Sequence, residues 1–105
     1  MSHKVLKISG RKHEVLEVEN LDLETLQELI GGGWIERVTF GLGFAGVVDE
    51  EGEFKRVELG TTQYNGYPFA GPVIVMREEM TAEGMDFVGL QDDDIPFLLQ
   101  MKGTR

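Results

Sequence analysis

The chain has 105 residues, room for one domain with one core over residues 1–105 and none for a second. It has no cysteine, which excludes disulfides, thiolate metal sites and a cysteine nucleophile. Nineteen acidic against ten basic residues leave a formal net charge of −9, a field that repels nucleic-acid backbones and anionic membranes, so neither is expected as a direct partner.

No apolar run approaches the roughly 18 residues that span a bilayer, and Met1-Ser2-His3-Lys4-Val5-Leu6 lacks the apolar stretch of a signal peptide. The expectation is a cytoplasmic protein. Lys4-Val5-Leu6-Lys7-Ile8 and Glu14-Val15-Leu16-Glu17-Val18-Glu19 alternate and are β-branched, with turn residues Ser9-Gly10-Arg11-Lys12 between them, so they predict a hairpin. From Asp22 to Ile30 the apolar residues recur every three or four positions. That period predicts a short helix, with Asn20 or Asp22 as its cap and Gly31 at the left-handed C′ position. Gly31-Gly32-Gly33 reads as a helix stop, with an anion nest as the functional alternative. Trp34 then opens the strand Ile35-Glu36-Arg37-Val38-Thr39-Phe40, as a core or rim residue rather than a ligand platform.

Gly41-Leu42-Gly43-Phe44-Ala45-Gly46 has the Gly-x-Gly-x-x-Gly spacing of a dinucleotide loop. Such a loop needs a helix where it ends, because the pyrophosphate sits on the positive end of that helix. The residues after Gly46 show strand composition on both sides of the acidic turn Asp49-Glu50-Glu51-Gly52 and no helical period, so the six residues predict a turn or bulge between antiparallel strands, with Phe44 in the core. The acidic turn lacks the ligand order of an EF-hand, and no metal or cofactor is expected there. Asp92-Asp93-Asp94 precedes Ile95-Pro96-Phe97-Leu98-Leu99-Gln100-Met101 and reads as the acidic start of a terminal helix closed by Lys102 and Gly103.

Catalytic equipment is thin. Serine occurs only at Ser2 and Ser9, and no zinc motif or nucleophile elbow is present. His3 and His13 lie in the first hairpin, where a metal bound across it is the alternative to two exposed strand-end histidines. No enzymatic activity is expected. Gly60-Thr61-Thr62-Gln63-Tyr64-Asn65-Gly66-Tyr67-Pro68-Phe69-Ala70-Gly71 joins hydrogen-bonding side chains to three aromatics, the composition of a recognition surface. Thr62, Gln63, Tyr64, Asn65, Tyr67 and Phe69 are its candidate contact residues. The competing structural reading makes Asn65-Gly66 the centre of a tight hairpin turn across which Tyr64 and Tyr67 pair. Gly71-Pro72-Val73-Ile74-Val75-Met76 predicts a buried strand, and Asp86-Phe87-Val88-Gly89-Leu90 a short one.

In sum these elements predict an α+β fold: a twisted, mainly antiparallel sheet of about five or six strands with two short helices packed on one face. Leu26, Leu29, Ile35, Val38, Phe44, Val57, Val73, Val75, Phe87 and Leu98 form the expected core.

The order of the short helix Leu23-Glu24-Thr25-Leu26-Gln27-Glu28-Leu29-Ile30 with its glycine step, the strand Trp34-Ile35-Glu36-Arg37-Val38, the turn Asp49-Glu50-Glu51-Gly52, then Phe69-Ala70-Gly71-Pro72-Val73 and Asp86-Phe87-Val88-Gly89-Leu90, resembles a family catalogued only as a domain of unknown function, number three-eight-four-six. The resemblance implies a small α+β protein typical of bacteriophages, plasmids and other mobile elements, and it brings no catalytic residues. The chain departs from it where such proteins usually show a Pro-x-Asn-Arg-like step and this one has Glu58-Leu59-Gly60-Thr61-Thr62-Gln63. The function expected is that of an acidic, non-enzymatic accessory protein, in the host cytoplasm if phage-encoded, that binds a host protein in a regulatory or counter-defence role. The alternative is a small-molecule binder that sequesters a nucleotide-like ligand through the aromatic-polar loop.

Overall fold

The computed structural model describes residues 2–102. Among these residues eight strands form two sheets. The large sheet takes β1 (His3–Ser9), β2 (Lys12–Val18), β3 (Ile35–Gly41), β4 (Phe44–Asp49), β7 (Val73–Thr81) and β8 (Gly84–Val88), and the hairpin β5 (Thr61–Tyr64) and β6 (Tyr67–Ala70) forms the small one. Every pairing is antiparallel, and the strand order of the large sheet is β2-β1-β7-β4-β3. β7 is the hub because it is long: its first half pairs with β1, its second half with β8, and its other flank with β4.

Alternation along the central strands decides what each face buries. On β7, Val73 and Val75 point to one side and Ile74 and Met76 to the other; on β4, Phe44 and Val48 oppose Val47 in the same way. One face is closed by α1 (Leu23–Leu29), whose Leu26, with Ile30 just beyond, packs on Val5, Val47, Ile74 and Met76. The opposite face carries α3 (Asp94–Leu99) and the β5–β6 hairpin, with Leu98 and Tyr64 against Leu6, Ile8, Val73 and Val75. The two expected helices therefore lie on opposite faces, not on one. A central sheet with apolar side chains on both sides of β1, β4 and β7 needs cover on both.

Local signals are met at most joints. Asp22 Oδ1 accepts from the Thr25 amide at 2.9 Å, and Asn20 Oδ1 accepts from the Asp22 amide at 3.2 Å, so both candidate caps work on α1. At its other end the Gly31 amide donates to Glu28 O and the Gly32 amide to Gln27 O, which consumes two of the three amides an anion nest would offer. The helix-stop reading is the one realised. Gly41 follows a bulge, Leu42 and Gly43 turn the chain with φ of 58° and 84°, and Phe44 enters the core. Gly46 is a position of close approach: a methyl there would stand 2.8 Å from both the Ile74 carbonyl and the Phe40 ring. The glycine spacing serves a hairpin.

The segment after β4 differs from expectation. Instead of a returning strand, the chain forms a short 3-10 helix (Gly52–Lys55) and one turn of α-helix, α2 (Arg56–Leu59). Both flanks of β4 are already paired, so a returning strand finds no edge beside it. Asp49 starts the turn by accepting from the Glu51 amide at 2.8 Å and from Lys55 Nζ at 3.1 Å. Val57, expected in the core, is 101% exposed, and Phe54 beside it 92%. Trp34 is an exposed rim residue. Leu29, Ile35, Val38 and Phe87 are part-buried and pack against the two core clusters, and the other expected core residues are buried.

At the terminal helix, the aspartates divide their tasks. Lys4 pairs with Asp92, while Asp94 is buried and accepts from Arg77 Nε at 2.7 Å and Nη2 at 2.8 Å, and from the Gln91 amide at 2.8 Å. Arg77 in turn lies over the Phe44 ring, 4.9 Å from its centre. These bonds hold the Asp94 carboxyl below the usual carboxylate range, with the Arg77 bonds the largest cause. Asp93 occupies the cap position without a side-chain capping bond. Gly103, expected to close this helix, lies outside the described residues. His3 pairs with Val18 and His13 with Ile8, at opposite ends of the first hairpin, so the two imidazoles do not face each other.

Candidate binding groove

The stretch 61–70 is a two-stranded hairpin whose turn is Asn65-Gly66, with φ of 51° and 79°, and Tyr64 stands opposite Tyr67. Positive φ at both turn positions is what Asn-Gly supplies, and it sets the register. The hairpin is anchored at three places. Its base closes through the Gly71 amide to Gly60 O at 2.9 Å; its middle through Thr62 Oγ1, which accepts from the Gly10 amide at 2.8 Å; its tip through the Asn65 amide to Met101 O at 2.9 Å. Tyr64 is fully buried and donates its hydroxyl to Leu98 O at 2.8 Å, and burial pushes its phenol well above the ordinary range. Arg56 ties α2 to the same hairpin, donating to Thr61 Oγ1 at 2.8 Å and to Pro68 O at 3.0 Å.

Between this fixed hairpin and the outer part of β3 lies a groove of about 410 Å³. One wall is aromatic. Phe40 meets Tyr64 edge-on at 5.3 Å and Phe69 edge-on at 6.3 Å, and Tyr67 tilts against Phe69 at 4.7 Å. Val38 and Val48 continue the apolar lining, and the opposite end is carboxylate-rich, with Glu36, Asp49, Glu50 and Glu53. Two of these acids are neutralised within the protein: Asp49 by Lys55, and Glu53 by Arg56, whose bonds hold the Glu53 carboxyl below its ordinary range. Glu36 and Glu50 have no ion-pair or side-chain hydrogen-bond partner among the described residues.

The six candidate contact residues are thus divided. Thr62 and Tyr64 are taken up by internal bonds, with Tyr64 beneath the groove; Asn65, Tyr67 and Phe69 line it; Gln63, half-buried, does not. Tyr67 is 56% exposed, the most open aromatic in the groove. Sequence reading missed the other half of the site, Glu36, Val38 and Phe40 on β3 and Glu50 and Glu53 beyond β4. The signal available was the alternation Glu36-x-Val38-x-Phe40, which sets a carboxylate on the same strand face as two apolar residues. A fully covered face has no place for such a charge.

No helix among the described residues is long and apolar enough to cross a membrane. No curated protein and no solved structure matches the chain. A family model described as Domain of unknown function (DUF3846) matches residues 3–102, nearly the full length, and agrees with the order of motifs read along the sequence; the chain belongs to that family.

Proposed function

We propose that the protein is a non-enzymatic accessory protein of phage or mobile-element type that binds a host protein in the cytoplasm through the groove between β3 and the β5–β6 hairpin. One observation carries this reading: a preformed groove whose aromatic wall is held by the buried Tyr64 and whose acids Glu36 and Glu50 are left without a cation. Aromatic surface that is already ordered contributes binding energy at low entropic cost, and unpaired carboxylates select for positive charge. A nucleotide-like ligand is disfavoured by the same carboxylates, which would face its phosphates at short range.

The test is affinity capture from host lysate at low and high salt, with Tyr67→Ala as the comparison. Capture is expected to weaken steeply with salt, and Tyr67→Ala to lower it at least about tenfold, or about 1.4 kcal/mol, with an unchanged melting temperature. Undiminished capture by a destabilised Tyr67→Ala would place the binding surface elsewhere.

A further inference from the structure

The free edge beside the groove indicates what kind of segment fills it, an inference that rests on the groove reading above. β3 ends the strand order on that side and, among the described residues, is paired only on its inner flank, by β4. The bond from the Glu50 amide to Trp34 O at 2.9 Å sets the phase of that ladder. Because alternate residues of an antiparallel pair exchange bonds, and the register runs unbroken from Ile35↔Asp49 to Thr39↔Ala45, Glu36 and Val38 direct their amides and carbonyls at β4. Those of Ile35, Arg37 and Thr39 face outward. The next pair agrees: the bond from the Glu78 amide to Gly43 O at 2.9 Å makes Ala45 and Val47 the β4 residues bonded to β7, which leaves Gly46 and Val48 for β3. Among the described residues, no turn, loop or side-chain bond reaches the outward amides of β3.

We propose that the occupant is an extended basic segment of a protein partner, which adds as a strand to the edge of β3 and lays alternate arginine or lysine side chains along the groove. Val38 and Phe40 pack toward the groove face, and Glu36, two residues before Val38, shares that face. An added strand places every second side chain beside them. Its basic side chains meet Glu36 and Glu50, the two acids without a cation, and their alkyl stems and planar heads stack on Tyr67 and Phe69. Backbone bonds give affinity in this mode and alternate side chains give specificity. The bulge between Thr39 and Gly41 limits the docking stretch to 35–39. A second copy of this chain suits the edge poorly, since it brings its own Glu36 and a net charge of −9. β2, the edge at the other end of the strand order, borders hollows lined by Lys7, Lys12 and His13 or by His3, Lys4 and Glu17, with no Phe, Tyr or Trp to stack on.

Fluorescence anisotropy with labelled peptides tests this. The probe alternates arginine with valine; its controls replace arginine by glutamate, or carry N-methyl groups on alternate backbone amides, made in both registers. Tight binding of the parent is expected, with no binding of the glutamate peptide and a loss of at least about tenfold for the N-methylated register that blocks pairing. Glu36→Gln with Glu50→Gln should weaken the parent about tenfold. Thr39→Pro should do the same without loss of melting temperature, because proline there removes an outward amide and no ladder bond. Equal binding of the parent and both N-methylated forms overturns strand addition while leaving the groove in place. Failure of the parent to bind overturns the basic segment, and Tyr67→Ala capture then judges the groove separately. A salt-stable dimer abolished by Thr39→Pro would make a second copy the occupant and overturn the proposal.

Discussion

The two faces of the central sheet are covered in different ways. On one, α1 lays Leu26 and Ile30 over an aliphatic patch of Val5, Val47, Ile74 and Met76, and the packing is simple and closed. On the other, α3 and the β5–β6 hairpin share the cover, the contacts are aromatic, and the cover stops short of β3, which leaves the groove. The helix, helped by the flanking Leu16, Leu21, Ile35 and Phe87, covers its face as one piece, whereas the two unlike pieces opposite leave a gap beside β3. The difference shows where a small fold makes room for a ligand without weakening its core. Tyr64 joins the two roles, holding α3 from below and backing the groove wall through Phe40.

The largest expected effect comes from that tyrosine. Tyr64→Ala removes a fully buried ring and leaves the Leu98 carbonyl without its donor, and should cost about 3–5 kcal/mol together with loss of partner capture. Leu26→Ala on the closed face should cost about 2–4 kcal/mol and leave capture per folded molecule unchanged. Denaturant unfolding and capture, measured on both variants, separate the faces. Equal loss of capture in the two would mean that the groove depends on global stability rather than on its own wall.

Next in size is the latch that holds α3. Asp94→Asn keeps the shape and loses the charge, so Arg77 is left half-paired over Phe44; the expected cost is about 2 kcal/mol near neutral pH. The sign of the pH dependence follows from the lowered Asp94 carboxyl. A group whose folded pKa lies below its unfolded value of about 3.9 contributes fully above that value and loses its contribution as pH falls through the folded one. The wild type should therefore lose stability below about pH 4, and the gap to Asp94→Asn should narrow there. A gap of constant size down to pH 2 would show that the Arg77 bonds are not what that carboxylate contributes.

What the sequence disclosed follows the range of each interaction. Caps, turns and alternation are local, so the first hairpin, α1, the glycine turn of β3 and β4, and the buried start of β7 were all legible, and so was the Asn65-Gly66 turn. The groove was half legible. Tyr67 and Phe69 announce themselves as aromatics in a polar stretch, but their neighbours Glu36, Val38 and Phe40 lie far away in sequence and are brought there by topology. The opposite placement of the two helices was hidden for a similar reason, because period alone does not say which face of a sheet an amphipathic helix meets. Thr62 and Tyr64 look like surface residues by composition, and only the contacts with Gly10 and Leu98 reveal them as internal ties.

The smallest expected effect tests the segment whose period misled. In Phe54-Lys55-Arg56-Val57-Glu58-Leu59 only the last four residues alternate charged and apolar side chains, which is enough to imitate a short strand, and a strand there would bury Val57. The chain instead turns helically, because Asp49 engages the Glu51 amide and Lys55, Glu53 pairs with Arg56 three residues on, and Gly52 sits so close to Ala70 that a methyl would stand 2.9 Å from its carbonyl. Val57 is left in solvent. Val57→Ala should then change stability by no more than about 0.5 kcal/mol, and in the favourable direction, since alanine is the better helix former. The residue does not line the groove, so binding should not change either. A buried strand valine would lose on the order of 1–3 kcal/mol on the same truncation; a loss of that size in thermal or denaturant unfolding would restore the strand and remove the acidic end of the groove with it.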